Sequence, residues 1–161
     1  AAEKAGVEYL RLLRPASPLP ENCLVFESAK QAAEALAAKE GNLLLATGAK
    51  ELAQFAAISP ERLYPRVLPT LESIAACEAA NIPHRNIIAM QGPFSFALNQ
   101  AMMEQFHIRW LVTKDGGAAG GFDEKAAAAS AAGAQLVVIR RPPEQGETAS
   151  EVLKRCKEMI R

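Results

Sequence analysis

Four short segments of the sequence carry glycine, a basic side chain or both directly after a run of apolar residues. They are 47–50 (TGAK), 91–95 (QGPFS), 113–121 (TKDGGAAGG) and 140–143 (RRPP). Where such a segment leads into a helix, the unpaired N–H groups and the helix dipole favour a phosphate or a carboxylate. Each segment is therefore a candidate for binding an anionic ligand.

Segment 113–121 carries the strongest signal of the four. Its four glycines allow a ligand to approach the backbone closely, and Lys114 supplies a point charge suited to a phosphate. We expect Lys114 to contact a phosphate or a carboxylate. The segment matches neither the GxGxxG dinucleotide fingerprint nor the phosphate-binding P-loop. For each segment by itself, the alternative that its glycines serve only as turns and helix ends stays open.

Other polar side chains indicate chemistry less clearly. Arg66 stands in a proline-flanked segment, where a ligand contact and a structural ion pair are both open. His84 and His107 are expected to be a solvated side chain and a cation at a helix end. The sequence has no HExxH motif and no Ser/His/Asp elbow, and its three cysteines lie far apart. Hydrolase and zinc chemistry are therefore unsupported, and no metal site is predicted.

The elements that must position these residues follow from the apolar runs at 23–26, 43–46, 87–90, 110–113 and 136–139. Their continuous apolar character is typical of parallel strands that helices cover on both faces. The sequence therefore predicts an α/β fold with a Rossmann-like parallel sheet flanked by helices in three layers. Because ligands bind outside the carboxyl ends of such strands, the four segments are expected at one edge of the sheet.

Helix ends are readable between these strands. Ser28 is expected to cap a helix over 29–39, and Ser95 a helix that begins after it. Asp123 is expected to cap the alanine-rich run that follows it. Thr148 and Glu151 form a capping box before the last helix.

Composition bounds the class of protein. The 161 residues carry 18 basic and 18 acidic side chains, so charge gives no reason to expect nucleic acid or a membrane surface as partner. We expect a single α/β domain over 1–161 in a cytoplasmic protein with reduced cysteines. Residues 1–5 resemble the end of a helix without its start, which favours an origin in a longer chain.

Six motifs, in order and with their spacing kept, resemble the C-terminal half of the precorrin-6A reductases. They are LRLLRP at 10–15, TGAKEL at 47–52, PRVLPT at 65–70, GPFS at 92–95, VTKDGGAAGGFDEK at 112–125 and VVIRRP at 137–142. The resemblance implies one lobe of a two-lobed Rossmann-like enzyme whose N-terminal lobe is absent from this chain. It also implies NADPH-dependent reduction of one double bond of precorrin-6A or cobalt-precorrin-6A in cobalamin biosynthesis, and little activity for the chain alone.

The resemblance also implies roles for individual residues, which line the cleft between the lobes. Expected at the cofactor are Thr47, Gly48, Lys50, Gly92, Pro93, Phe94, Thr113, Lys114 and Gly117; expected at the substrate are Arg66, Arg140 and Arg141. Asp115 and Tyr64 are candidates for supplying the proton. Gly116 stands where the family commonly has serine, so a hydroxyl contact at that position is not expected. Two alternatives remain: an α/β module that binds a nucleotide or an anionic tetrapyrrole without catalysis, and a transferase that binds a nucleotide sugar.

Overall fold

The computed structural model describes residues 2–7, 9–13, 18–116, 121–141 and 146–159. The chain forms two compact units, one of Ser17–Arg141 and one that combines Ala1–Ala16 with Pro142–Arg161. Of the residues that the structure describes, the larger unit contains all the strands and all the residues discussed below as part of a site. We describe the two units separately.

The larger unit is built on a six-stranded sheet in which all neighbouring strands are parallel. The strands are β1 (Leu24–Phe26), β2 (Asn42–Ala46), β3 (Leu63–Val67), β4 (Ile88–Ala89), β5 (Ile108–Lys114) and β6 (Gln135–Ile139). They lie in the order β1-β6-β5-β2-β3-β4. The predicted α/β fold with a parallel sheet is confirmed, and each of the five apolar runs overlaps one of these strands.

The strand that the sequence did not predict is β3. It lies between β2 and β4, with Leu45 of β2 opposite Pro65 and with pairing to β4 beginning at Arg66. Proline cannot donate to a strand ladder, and an arginine interrupts the apolar pattern, so LYPRV does not look like an internal strand. Arg66 therefore belongs to the sheet and not to a connecting segment.

Helices cover both faces of the sheet. One face carries α2 (Ala29–Ala37), α3 (Leu71–Ala79) and a 3₁₀ helix (Ala49–Phe55), and the other carries α4 (Phe96–Gln105) and α5 (Phe122–Ala131). Successive residues of β2 enter different cores: Leu43 and Leu45 pack on the α2 side, and Leu44 packs on the α4 side. Burial of alternate residues on both faces explains why these strands are apolar throughout.

Most of the predicted helix ends are confirmed. The Ser28 side chain accepts a hydrogen bond from the Gln31 N–H, and the Ser95 side chain accepts one from the Leu98 N–H. The prediction for α5 was wrong, because Gly121 precedes the helix in a left-handed conformation and Asp123 lies within the first turn. A glycine reaches that conformation at little cost, whereas an aspartate cap requires extended backbone.

The smaller unit contains α1 (Ala2–Ala5) and α6 (Ala149–Met159). Its backbone pairs residues 11–13 with Glu147: the Glu147 N–H donates to the Arg11 carbonyl and the Leu13 N–H donates to the Glu147 carbonyl. The capping box is confirmed, with the Thr148 N–H 2.7 Å from a Glu151 carboxylate oxygen. Among the described residues, no helix has the length and apolar character needed to span a membrane.

Candidate functional site

The carboxyl ends of the six strands lie at one edge of the sheet, because every pair of neighbours is parallel. The residues that follow β2, β4, β5 and β6 therefore meet at this edge, which we call the carboxyl edge. Four of the predicted residues lie at this edge, each shortly after the end of a strand: Thr47, Gly92, Asp115 and Arg140. The expectation that the four segments share one edge is confirmed for the residues that the structure describes.

The segment after β2 presents an unpartnered hydroxyl and an open backbone. The Thr47 Oγ1 atom is buried, and no group in the described part of the chain hydrogen-bonds to it. Gly48 has φ of +85°, and a side chain built there would meet nothing within 4 Å. Lys50 is exposed in the first turn of the 3₁₀ helix. A polar group of a ligand would find both a hydroxyl and room to approach here.

Lys114, at the end of β5, forms an ion pair with a residue from another segment. Its Nζ atom lies 2.7 Å from Glu51 Oε1 of the 3₁₀ helix, and both side chains retain access to solvent. A pair of this exposure contributes little to stability. The Glu51 carboxylate therefore holds Lys114 at the carboxyl edge. An anionic ligand would have to displace Glu51 from Lys114 or share the lysine with it.

The two arginines after β6 also contact carboxylates. Arg140 Nη1 lies 3.1 Å from Glu27 Oε1 at the surface. Arg141 donates from Nε to the Asp115 carbonyl, and its Nη2 atom lies 4.0 Å from Asp115 Oδ1. That Nη2 atom is buried and has no hydrogen-bond partner in the described ranges of the chain. Asp115 and Arg141 thus form one partly buried polar group beside β5 and β6.

Arg66 is buried on the face of the sheet that α4 covers, with only 8% of its surface exposed. Its Nη1 atom donates to Asn99 Oδ1 at 2.7 Å, and its guanidinium carbon lies 4.0 Å from the centre of the Phe94 ring. Asn99 is itself fixed, because its amide donates to the Ser95 carbonyl at 2.8 Å and the Phe94 carbonyl at 3.2 Å. Burial lowers the pKa of Arg66 to about 10.

Lys125, in the first turn of α5, is a second buried cation on the same face. It is 9% exposed, and its Nζ atom donates to Thr113 Oγ1 at 3.2 Å. Burial, and then the charge of Arg66, lower the pKa of Lys125 to about 8, while Glu124 acts in the opposite direction. The recorded hydrogen bonds of Arg66 and Lys125 end on neutral oxygens of Asn99 and Thr113, and the described residues bring no carboxylate within ion-pair distance.

These side chains form what we call the buried cation cluster, composed of Arg66, Phe94, Asn99, Thr113 and Lys125. The resemblance had divided three of them between substrate (Arg66) and cofactor (Phe94 and Thr113). In the structure Phe94 lies against Arg66, and Arg66 and Thr113 lie in the strands on either side of β2 at a similar level, since Leu45 pairs with Pro65 and Ala46 pairs with Thr113. Asn99 was not predicted as a site residue, and Lys125 was expected only as the lysine of the family motif at 112–125, without a role of its own. A signal for Lys125 existed, since it directly precedes the alanine-rich stretch of α5.

Three other predicted site residues have different surroundings. Tyr64 lies in the amino half of β3 with its ring centre 5.0 Å from that of Phe106, so its neighbourhood is an aromatic contact. Gly92 lies against the Phe94 ring, where an added side-chain carbon would come within 3.0 Å. Pro93, next to it, is exposed. Gly117 lies outside the described residues.

In the part of the chain that the structure describes, no three His, Cys, Asp or Glu side chains lie together in a way that could hold a metal ion. The polar groups of the carboxyl edge are instead hydroxyls, lysines and arginines, with single carboxylates beside them. This donor set is suited to carboxylates and phosphates.

Residues 1–157 match the family model described as precorrin-6x reductase CbiJ/CobK. The chain belongs to this family. It is 34% identical over 122 residues to the cobalt-precorrin-6A reductase of Priestia megaterium. That alignment covers 73% of this chain and 48% of the Priestia protein. It is 36% identical over 122 residues to the cobalt-precorrin-6A reductase of Salmonella typhimurium, with 73% and 46% covered.

The chain spans about half the length of the curated members of the precorrin-6x reductase family that it matches. A solved structure described as CobK precorrin-6A reductase resembles this chain with a TM-score of 0.73. The alignment covers 98% of this chain and 64% of the other, at 19% identity. At that identity the likeness supports the fold alone.

The lowered pKa of Lys125 predicts a specific dependence of stability on pH. Between about pH 8 and 10.5 the unfolded chain binds more protons at this lysine than the folded chain, so its contribution to the free energy of unfolding rises with pH. In urea unfolding at pH 7, we expect Lys125→Met to be about 1–3 kcal/mol more stable than the wild type. This advantage should shrink by pH 10.

The matched control is Lys30→Met, which removes an exposed lysine of α2 that pairs with Glu34 at 3.9 Å. The free energy of unfolding of Lys30→Met should differ little from that of the wild type, and the difference should stay nearly constant from pH 7 to pH 10. A constant difference between the wild type and Lys125→Met at all pH values would contradict the assignment of a depressed pKa to Lys125.

Proposed function

We propose that this chain takes part in the NADPH-dependent reduction of one double bond of cobalt-precorrin-6A in cobalamin biosynthesis. The observation that carries the proposal is the family match over residues 1–157, together with curated relatives that are named cobalt-precorrin-6A reductases. Those names favour the cobalt-containing substrate over the metal-free one. The proposed ligands, a carboxylate-rich ring and a phosphorylated nucleotide, both suit the cations of the carboxyl edge.

The apolar surface of the larger unit supports a ring-shaped substrate. Most of the large apolar side chains that this unit exposes follow the ends of β3 and β4: Leu68, Leu71, Met90, Phe96 and Leu98. The described exception is Leu24, at the beginning of β1. Exposed apolar residues grouped in one place mark binding surfaces more often than scattered ones do. A macrocycle with an apolar face and a rim of carboxylates would contact these residues and the nearby cations together.

The residues after β2 and β5 fit the phosphates of a nicotinamide cofactor. The buried Thr47 Oγ1 atom has no hydrogen-bond partner among the described residues. Gly48 leaves open space for a ligand, and Lys114 carries a positive charge. We assign cofactor contacts to these three residues. When bound, NADPH supplies the hydride, and the residues of this chain contribute orientation and charge.

The proton that completes the reduction needs a donor at the same edge. Asp115 directly follows β5 and is oriented by Arg141. Tyr64 lies in the amino half of its strand and packs against Phe106. We therefore assign the proton to Asp115, either directly or through a water molecule, and keep Tyr64 as a packing residue.

We also propose that the chain is the C-terminal lobe of a two-lobed enzyme, since it spans about half the length of its curated relatives. Full-length polypeptide containing these residues should consume NADPH and add two hydrogens to cobalt-precorrin-6A, measured by absorbance and by mass spectrometry of the product. The chain alone should show little turnover, because misplacing reacting atoms by about 1 Å can cost on the order of a hundredfold in rate. Binding of both ligands by the full-length protein without turnover would favour a non-catalytic binding module instead.

Replacement of Lys114 tests the cofactor assignment. In the full-length protein, Lys114→Met should raise the Kd for NADPH about tenfold to a hundredfold, because a charge-assisted contact is lost. Glu51→Gln is the matched control, since it removes the carboxylate that pairs with Lys114 and leaves the lysine available. Its Kd should be unchanged or lower. If Glu51→Gln weakens binding as much as Lys114→Met, the ion pair acts by holding the loop and Lys114 is not a ligand contact.

Replacement of Leu71 tests the apolar surface. Leu71 is 87% exposed at the start of α3, so Leu71→Ser should leave the melting temperature nearly unchanged. It should raise the KM for the macrocycle about fivefold to thirtyfold, because burial of a leucine side chain in the complex is lost. Leu24→Ser, at the opposite end of a strand, should have no effect on KM. Equal effects of the two substitutions would argue against the assigned surface.

A further inference from the structure

We propose that the smaller unit carries a docking surface for the lobe that precedes these residues in the two-lobed polypeptide. The inference rests on the proposed function, which makes this chain the C-terminal lobe. The docking surface consists of side chains from the first residues of the chain and from α6: Val7, Tyr9, Leu12, Leu153, Cys156 and Met159.

The smaller unit has no interior of its own among the residues that the structure describes. None of its described residues is buried, and α6 contains no buried residue at any of its 11 positions. Segments of fewer than about 40 residues rarely fold by burying their own side chains, and a single helix shorter than about 12 residues is marginal in water. Contact with further polypeptide would supply the burial that this unit lacks.

The smaller unit exposes large apolar side chains instead. Val7, Tyr9 and Leu12 are each more than half exposed, and so are Leu153 and Met159 of α6. An apolar side chain that becomes buried stabilises a complex by about 25 cal/mol for each Å² removed from water. Exposed apolar residues that are grouped in this way mark interaction surfaces.

The apolar residues of α6 lie along one side of the helix. Leu153, Cys156 and Met159 recur at every third position, which places them next to one another on the helix surface. Charged residues occupy most of the remaining positions: Glu151, Lys154, Arg155, Lys157 and Glu158. A helix with this division packs its apolar side on another element and keeps its charged side in water.

The backbone of the smaller unit indicates which polypeptide covers the docking surface. The Glu147 N–H donates to the Arg11 carbonyl, and the Leu13 N–H donates to the Glu147 carbonyl. The two segments approach so closely that a side-chain carbon added at Gly146 would lie 2.6 Å from the Arg11 carbonyl oxygen. The entry of the chain and the start of α6 therefore lie together in one unit.

A preceding lobe would be tethered to this unit, because residues 1–16 belong to it. A short tether gives an intramolecular contact an effective concentration on the order of millimolar, which a second copy of the chain does not have. The alignments cover 48% and 46% of two curated relatives, so about half of each relative lies outside the match. That length is sufficient for a lobe with a core of its own.

Amide hydrogen exchange, measured by mass spectrometry, tests the docking surface in the wild-type full-length polypeptide and in the 161-residue chain. The amides of α6 should exchange about tenfold more slowly in the full-length polypeptide, because docking makes the opening of the helix more costly. Equal exchange rates of α6 in the two proteins would overturn the proposal. Protection of α6 in the 161-residue chain that rises with protein concentration would identify a second copy as the occupant, and would also overturn it.

Two neighbouring substitutions separate docking from the intrinsic stability of the helix. In the full-length polypeptide, Leu153→Ser should speed the exchange of α6 about fivefold to tenfold, because an apolar contact is lost. Lys154→Ser is the matched control, since it lies on the charged side and lowers helix propensity by a similar amount. Its effect should stay below about twofold. Equal acceleration by the two substitutions would overturn the proposal.

Alkylation of Cys156 by iodoacetamide gives a second measurement that needs no substitution. Cys156 is partly exposed and lies on the apolar side of α6, so its alkylation rate should fall about tenfold in the full-length polypeptide. An unchanged rate would overturn the proposal. Neither measurement uses turnover: a protected α6 in an inactive full-length protein would support the docking surface and count against the reductase, and an unprotected α6 in an active protein would do the reverse.

Discussion

Parallel pairing of strands that are buried on both faces is the constraint on which the larger unit depends. Most strand residues must be apolar, because helices cover the sheet on either side. Each connection must also return across a face of the sheet, so the segments that leave the strands all begin at the same edge. The gathering of Thr47, Gly92, Asp115 and Arg140 at one edge is a direct consequence of this pairing.

The same constraint determines how much of the fold can be predicted from the sequence. Short runs of three or four consecutive apolar residues indicate buried strands, and five strands could be located in this way. The helix caps at Ser28 and Ser95 could also be predicted, because each of their hydrogen bonds joins residues three positions apart. β3 could not be found, because Pro65 and Arg66 break the pattern and only pairing with β2 and β4 makes the segment a strand.

The candidate site could be predicted to the level of its loops but not of its contacts. Glycines and cations after strands indicate where a ligand approaches, and these are short-range features. The partners of the cations are long-range: Lys114 reaches Glu51, 63 positions earlier, and Arg66 reaches Asn99, 33 positions later. The burial of Lys125 could not be predicted for a related reason, since it depends on the packing of α5 and not on the neighbours of Lys125 in sequence.

The lengths of the strands have a consequence for association between copies of the chain. The outermost strands, β1 and β4, have three and two residues, and the four strands between them have five to seven. A short outer strand offers few backbone groups on which another polypeptide could add a strand. A formal net charge of zero gives these molecules little mutual repulsion. The shortness of the outer strands therefore limits aggregation through sheet extension. The exposed apolar residues after β3 and β4 have no long strand edge beside them.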